Sequence, residues 1–203
     1  MADITIPQDL LPRDGRFGAG PSRVSSAQLD HLVRNASLLG TSHRQAPVRE
    51  LVGRIQGSLG AYFRLPEGYE VVLGNGGSTA FWDIAAASLA RTRSAHLSFG
   101  EFGAKCVSAH TTPWLEKPHV VTSEPGTRGE LTAVAGVDLY AWPHNETSTG
   151  VMAPVKRIEG ADSGALMMVD ATSAAGGLDF DASEVDVYYF APQKNFASDG
   201  GLW

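Results

Sequence analysis

The stretch VVLGNGGSTAF, residues 71–81, holds the signals that decide the fold. An apolar run meets a glycine-rich turn, which leads directly into the apolar helical pattern TAFWDIAAASLA. Such a turn can cradle a phosphate, because glycines let the backbone approach closely and the helix N-terminus offers free N–H groups. Ser78 and Thr79 add hydroxyl donors. The turn is neither G-x-G-x-x-G with an acidic partner nor a Walker loop, so a purely structural strand-to-helix turn stays open as an alternative.

Strand and helix patterns alternate on both sides of this stretch. Strands are predicted at YEVVLG (69–74), SAHLSF (94–99), HVVTSE (119–124), VDLYAWP (137–143), GALMMVD (164–170) and VDVYYF (185–190). Further helices are predicted at SSAQLDHLVRNASLLG (25–40), APVRELVGRIQGSLGAYFRL (46–65) and GEFGAKCVSAHTT (100–112), with a helical turn at PVKRI (154–158). The alternation predicts an α/β fold with a mostly parallel sheet and helices on both faces.

The domain organisation follows from the two ends of the chain. Residues 1–20 are rich in Pro, Gly and Asp, and we expect them to form an extended N-terminal arm. Residues 21–203 are expected to form one large domain. The final DGGLW is typical of the start of a strand with no closing element after it. The pattern predicts a domain that is truncated before a C-terminal part.

Composition excludes several classes of function. Acidic residues number 22 against 16 basic ones, for a formal net charge of −6, so a nucleic acid is not an expected partner. Cys106 is the only cysteine, which excludes an intramolecular disulfide and a cysteine-based zinc cluster. The first residues lack a signal-peptide pattern and no apolar run is long enough for a membrane span. We expect a cytoplasmic protein.

Polar or charged side chains follow several of the predicted strands. Asp170 ends MMVD, the loop HNETSTG follows residues 137–143, and Lys194 follows VDVYYF. Ligands of open parallel sheets bind beyond the carboxyl ends of the strands, so these groups are expected to share one site. Alone, each has a structural alternative: a turn or capping aspartate, a polar loop and a solvated lysine. His43 and Arg44, between two predicted helices, suit a carboxylate or phosphate but equally a surface pair.

Taken together, the groups match pyridoxal 5′-phosphate (PLP) chemistry, in which a lysine Schiff base and an aspartate at the pyridinium nitrogen recur. The sequence resembles the phosphoserine aminotransferases, which are class V, fold-type I PLP enzymes, and in particular their actinobacterial branch. The motifs that carry the resemblance run in family order: GAGPS, TSHR, GNGGST, HNETSTG, VDATSAAGG and APQKN. They extend from Gly18 to Asn195 and so cover nearly the whole chain.

The resemblance assigns roles at the cofactor. It implies that Lys194 forms the Schiff base and moves a proton between substrate Cα and cofactor C4′. Asp170 keeps the pyridinium nitrogen protonated, Thr147 bonds the ring oxygen, and Phe102 stacks on the ring. No metal is implied.

The resemblance also assigns phosphate contacts. Ser78, Thr79 and Gln193 are implied to bind the cofactor phosphate or its surroundings, and His43 and Arg44 the substrate phosphate. Many relatives have Trp at the position of Phe102, a change that should still allow stacking. Many also have Gly-Arg at the positions of Ser78 and Thr79, and that arginine helps to hold substrate.

The implied reaction is amino transfer from L-glutamate to 3-phosphohydroxypyruvate, giving 2-oxoglutarate and 3-phospho-L-serine. It belongs to serine biosynthesis, with a related activity in pyridoxine biosynthesis, and relatives are homodimers. Because the family continues well beyond Trp203, we expect the 203-residue chain alone to be inactive.

Three alternatives stay open. An alanine–glyoxylate or serine–pyruvate aminotransferase would share the class V motifs but would not need a phosphate-binding pair at His43 and Arg44. A truncated, non-catalytic chain could bind PLP weakly and turn over nothing. A cysteine desulfurase is disfavoured, since its nucleophile should lie on a mobile loop whereas Cys106 lies in a predicted helix.

Overall fold

A five-stranded parallel sheet forms the centre of the computed structural model, which describes residues 4–13, 15 and 20–203. The strands in chain order are β1 (Ser94–Ser98), β2 (His119–Thr122), β3 (Leu139–Pro143), β4 (Asn145–Glu146), β5 (Val151–Met152), β6 (Leu166–Asp170) and β7 (Val187–Tyr189). The main sheet has the order β2-β1-β3-β6-β7, while β4 and β5 form a separate antiparallel hairpin. The α/β class with a mostly parallel sheet is therefore confirmed. Gly18 and Ala19 of GAGPS, and much of the expected N-terminal arm, lie outside the described residues.

The described residues contain four α-helices, α1 (Ser26–Arg34), α2 (Ala46–Tyr62), α3 (Thr79–Ser88) and α4 (Glu101–Ala109). Of these, α3 and α4 pack on the sheet. Short 3₁₀ turns occur at Gln8–Leu10, Ala36–Leu38 and Ala182–Glu184. Ser25 and Gln28 form a reciprocal capping box at the start of α1. Pro47 lies in the first turn of α2, where its missing N–H costs no helical bond. Within the described residues, no helix combines the length and apolar character that a membrane crossing requires.

The two faces of the sheet pack differently, as the alternation of side chains along a strand requires. Leu139, Ala141 and Met168 pack against α3 and α4 through Trp82 and Cys106. The opposite face packs mainly against connecting segments, and its larger buried members are Leu97, Tyr140, Trp142, Met167 and Val169. The end of α2 reaches this side, because the ring of Phe63 contacts those of Phe180 and Tyr188.

Two predicted elements are wrong. YEVVLG forms no strand of the sheet. At its end, the backbone of Gly74 bonds that of Trp203 and the N–H of Gly76 bonds the oxygen of Gly201, which makes one isolated bridge between Asn75 and Leu202. PVKRI is extended rather than helical: Val155 and Ile158 pack on the sheet face, and the backbone N–H of Arg157 bonds the Glu184 carboxylate. The remaining predicted strands and helices are confirmed, with ends shifted by a few residues.

Candidate functional site

Asp170 is the last residue of β6, so it lies at the carboxyl edge of the sheet. Its Oδ1 accepts a hydrogen bond from the backbone N–H of Thr172 at 2.9 Å. Its Oδ2 accepts from the hydroxyl of Tyr189 at 3.0 Å and from Nε1–H of Trp82 at 3.3 Å. A partly buried carboxylate is costly unless it is hydrogen-bonded, so these donors make its position tenable. Each carboxylate oxygen can accept about two bonds, and among the described contacts Oδ1 keeps one acceptor position.

The N-terminus of α3 is linked to Asp170 through Thr172. Ser78, which precedes the helix, is only 7% exposed, and its Oγ accepts a hydrogen bond from Thr172 Oγ1 at 2.8 Å. Its side chain does not cap α3, and Thr79 is exposed at the first helical position. The N–H groups of Ala80 and Phe81 already bond the backbone oxygens of Gly77 and Ser78 at 3.0 Å. The positive end of the α3 dipole, which favours an anion, therefore lies beside the aspartate.

Thr147 is joined to the same edge through Ser173. Both Thr147 Oγ1 and the side-chain amide of Asn145 donate to Ser173 Oγ at 2.8 Å, and Ser173 Oγ donates to the backbone oxygen of Asn145 at 3.0 Å. Because Ser173 lies three residues after Asp170, the HNETSTG and DATSA motifs meet in one hydrogen-bonded group. The segment predicted as a polar loop is a short β-hairpin, β4–β5.

Glu146 of this hairpin caps α4. Its carboxylate is fully buried and accepts from the backbone N–H of Gly103 at 2.9 Å and of Phe102 at 3.4 Å. Ser148 completes the cap: its Oγ accepts from the N–H of Glu101 at 2.9 Å and donates to Glu146 at 2.8 Å. A carboxylate at a helix N-terminus satisfies orphan donors and complements the dipole. The hairpin thereby fixes the helix turn that carries Phe102.

The ring of Phe102 is 37% exposed and lines a cavity of about 10 Å³ together with Asp170. The other lining residues include Gly103, Cys106, Pro143 and Tyr189. A void of this size accommodates about one water molecule. An aromatic side chain and the aspartate therefore line the same small space.

Lys194 lies in a turn just beyond β7 and is partly buried. Within the described part of the chain, its ammonium makes no hydrogen bond and no ion pair. The preceding residue, Gln193, has a buried Oε1 without a hydrogen-bond partner, while its backbone oxygen accepts from the N–H of Ser22 at 2.7 Å. An unsatisfied buried polar group commonly marks a place where a ligand or water belongs.

His43 and Arg44 are exposed in the turn before α2. The backbone N–H of Arg44 donates to Ser42 Oγ at 3.3 Å. No hydrogen bond, ion pair or ring contact among the described residues joins either side chain to Asp170, Lys194 or Ser78. The structure does not bring this pair into the hydrogen-bonded group.

Burial controls the protonation of the neighbouring titratable groups. It lowers the pKa of His144, so that imidazole stays neutral. Burial, followed by the Asp170 charge, raises the pKa of the Cys106 thiol, which makes this helical cysteine a poor nucleophile. Burial and the charge of Asp170 likewise raise the pKa of the Tyr189 hydroxyl, which keeps its proton and acts as a donor.

Sequence reasoning missed four residues that organise the site: Trp82, Tyr189, Glu146 and Ser148. Trp82 and Tyr189 lie inside runs that predict only core packing. Glu146 and Ser148 were visible in HNETSTG but had no predicted partner. The partners of all four residues lie far away along the chain, so no local pattern of the sequence could identify them.

A parallel sheet with an aspartate, a helix N-terminus and a lysine at its carboxyl edge has the groups of an α/β ligand-binding site. The family model "Aminotransferase class-V" matches residues 34–201. The chain belongs to the class-V aminotransferase family.

Two curated relatives and one solved structure carry the names of phosphoserine aminotransferases. The chain is 63% identical over 203 residues to a phosphoserine aminotransferase of a Nocardioides species, covering 98% of this chain and 54% of the relative. It is 56% identical over 202 residues to a putative phosphoserine aminotransferase of Mycobacterium leprae, with 98% and 54% covered. The structure is similar to a phosphoserine aminotransferase from Cytophaga hutchinsonii, with TM-score 0.84, 25% identity and coverage of 90% and 52%. The chain spans about half the length of the curated relatives it matches.

Proposed function

We propose that the gene product that carries this chain is a PLP-dependent aminotransferase that uses L-glutamate and 3-phosphohydroxypyruvate. The observation that carries the proposal is the hydrogen-bonded link from Asp170 through Thr172 to Ser78, at the start of α3. It joins an acceptor for a protonated ring nitrogen to the positive end of the α3 dipole. The names of the relatives support the choice of phosphoserine as product.

The residues of this edge fit PLP. Among the described residues, Oδ1 of Asp170 has a remaining acceptor position, Gln193 Oε1 is buried without a hydrogen-bond partner, and the Lys194 ammonium makes no hydrogen bond or ion pair. The positive end of the α3 dipole and the exposed Thr79 hydroxyl suit a phosphate.

When bound, PLP supplies an electron sink that stabilises negative charge at the substrate Cα. Lys194 would hold the cofactor through its side-chain amine and would carry the proton that leaves the substrate Cα. Asp170 holds the proton on the ring nitrogen, because an adjacent carboxylate favours the charged ring. Thr147, whose hydroxyl donates to Ser173 in this structure, would hold the ring oxygen, and Phe102 would hold the ring by stacking.

The phosphate groups have separate partners in this proposal. Ser78, Thr79 and Gln193 hold the cofactor phosphate or its surroundings, and His43 and Arg44 bind the phosphate of the substrate. Arg44 suits this task because the guanidinium fork can bond two phosphate oxygens at once. Since the pair is exposed, substrate has to reach it from solvent.

The same proposal extends to the domain, the pathway, the cellular compartment and the oligomeric state. Residues 21–203 form the large PLP-binding domain, the enzyme acts in serine biosynthesis in the cytoplasm, and it also serves pyridoxine biosynthesis. It works as a homodimer.

The first test is the intact mass of the whole gene product, incubated with PLP, before and after borohydride reduction. A pyridoxyl adduct that peptide mapping assigns to Lys194 is the expected result. Adduct formation without turnover of either substrate would favour the non-catalytic alternative. Absence of any adduct would overturn the proposal.

Substitution Arg44→Ala tests the substrate. A hydrogen bond to a charged group contributes about 1.5–3 kcal/mol, so kcat/KM for 3-phosphohydroxypyruvate should fall roughly 10- to 100-fold. The half-reaction with L-glutamate should change less than about threefold, since that substrate carries no phosphate. Arg49→Ala, another exposed arginine nearby, is the control. Equal small effects on both substrates would favour an alanine–glyoxylate type of enzyme instead.

A further inference from the structure

Two large aromatic side chains, Tyr189 and Trp82, donate hydrogen bonds to Asp170 at the edge of the sheet. Tyr189 hydroxyl lies 3.0 Å from Asp170 Oδ2, and Trp82 Nε1 lies 2.7 Å from the tyrosine oxygen and 3.3 Å from the same Oδ2. Both aromatic residues are buried, with 5% and 6% of their surface exposed. Neither one is among the residues that the sequence motifs single out.

The direction of these hydrogen bonds is fixed by chemistry. Indole Nε1–H can only donate, so the oxygen of Tyr189 accepts from Trp82 and directs its own proton to Asp170. The tyrosine ring is itself held in place, since it stacks on Phe81 with centroids 4.6 Å apart and an interplanar angle of 30°. Two donors therefore converge on Oδ2, while a backbone N–H holds Oδ1.

We propose that Tyr189 and Trp82 are positioning residues that orient the Asp170 carboxylate, so that Oδ1 can pair with the protonated ring nitrogen of PLP. The inference rests on the proposed function. The two donors to Oδ2, together with the backbone N–H on Oδ1, fix the plane of the carboxylate. They also exclude rotation of the carboxylate away from the cofactor.

The neighbouring residue provides a matched control. Tyr188 lies on the opposite face of β7, stacks on Phe180 with centroids 3.9 Å apart, and bonds His144 Nδ1 at 3.1 Å rather than Asp170. Tyr188→Phe and Tyr189→Phe each remove one partly or fully buried hydroxyl and no carbon atom. Only the second removes a donor to Asp170.

The experiment uses the whole gene product, stripped of PLP and titrated with PLP while tryptophan fluorescence and cofactor absorption are recorded. Tyr189→Phe should weaken PLP binding and lower kcat by roughly 10- to 100-fold each, the effect of one bond to a charged group, and should alter the absorption spectrum. The KM for L-glutamate should stay within about threefold. Tyr188→Phe should leave PLP affinity, spectrum and kcat within about threefold of the parent.

Each other outcome is decisive. Equal effects of the two variants on PLP affinity and spectrum would overturn the positioning role and leave the proposed function standing. A parent protein that takes up no PLP would overturn the proposed function and this inference with it. If circular dichroism shows that Tyr189→Phe does not fold, Trp82→Phe replaces it. The expected result for Trp82→Phe is weaker PLP binding and a changed absorption spectrum. PLP binding and a spectrum like those of the parent protein would refute the positioning role.

Discussion

The cap that Glu146 provides for α4 offers a quantitative test of the site's architecture. Replacement of Glu146 by Gln keeps the shape of the side chain but converts one acceptor oxygen into an NH₂ donor. In the better of the two amide orientations, the oxygen keeps the bonds now made by Oε1, from Phe102 N and from Ser148 N and Oγ. The NH₂ then faces the N–H of Gly103, whose 2.9 Å bond is lost.

The expected cost follows from that geometry. A buried donor left without its partner costs about 1–3 kcal/mol. Removal of the negative charge from the helix N-terminus costs about 0.3–1 kcal/mol more. The sum of about 1.3–4 kcal/mol is a large share of a typical domain stability of about 5–15 kcal/mol. For a chain of this length it corresponds to a decrease in Tm of roughly 3–16 °C.

Urea and thermal unfolding of the cofactor-free protein measure this cost, and hydrogen exchange of the α4 amides locates it. Glu101→Gln is the control, because it removes the same charge from the same helical turn at an exposed position where Glu101 pairs with Lys105 at 3.0 Å. The control should lose less than about 1 kcal/mol. Equal losses for the two variants, with unchanged exchange at Gly103, would refute the argument that the buried cap fixes this helix.

Two further predictions concern stability. Burial, reinforced by the charge of His110, lowers the pKa of His96 from 6.5 to about 3; the protein then loses stability as pH falls below about 6.5, by about 2 kcal/mol at pH 5. His96→Asn should reduce this pH slope in urea unfolding, while an unchanged slope would exclude His96 as its source. A Cβ at Gly100 would lie 2.5 Å from Ser148 Oγ and 2.6 Å from Glu146 Cδ, so Gly100→Ala should destabilise by about 1–3 kcal/mol. Gly57→Ala, in α2 with open space around it, should stabilise slightly, and the same sign for both would contradict the steric reasoning.

Local patterns in the sequence were sufficient for most of the fold. The apolar runs of β1, β3 and β6 are short and bounded by polar residues, so their periodicity identifies them without tertiary information. The same reasoning failed at residues 69–74, because their sequence carries the apolar pattern of a strand but the backbone pairs only briefly with residues 201–203. A strand forms only where another segment pairs with it, and the sequence of one segment does not show whether such a segment is present.

In the candidate site, the positions of residues at strand ends followed from the sequence, whereas their hydrogen-bond partners did not. Asp170 and Lys194 could be predicted because strand ends in a parallel sheet meet at one edge. The donors to Asp170 could not, since Trp82 is 88 residues and Tyr189 19 residues away along the chain. Their polar atoms reach Asp170 because β7 pairs beside β6 and α3 packs on the face of the sheet that carries Met168 and Tyr189, and both relations are created by tertiary structure.

The motif HNETSTG has a simple structural explanation in the alternation of an extended chain. Successive side chains of a strand point to opposite sides, and β4 together with the two residues after it keeps this pattern. Asn145 and Thr147 bond Ser173 on one side, whereas Glu146 and Ser148 bond the first turn of α4 on the other. One four-residue segment thus ties the turn after Asp170 to the helix that carries Phe102, so the proposed ring-oxygen contact and the proposed stacking ring are positioned by a single element. A one-residue shift of this segment would exchange the two sets of partners, which is why the order of these polar residues, and not only their presence, is required.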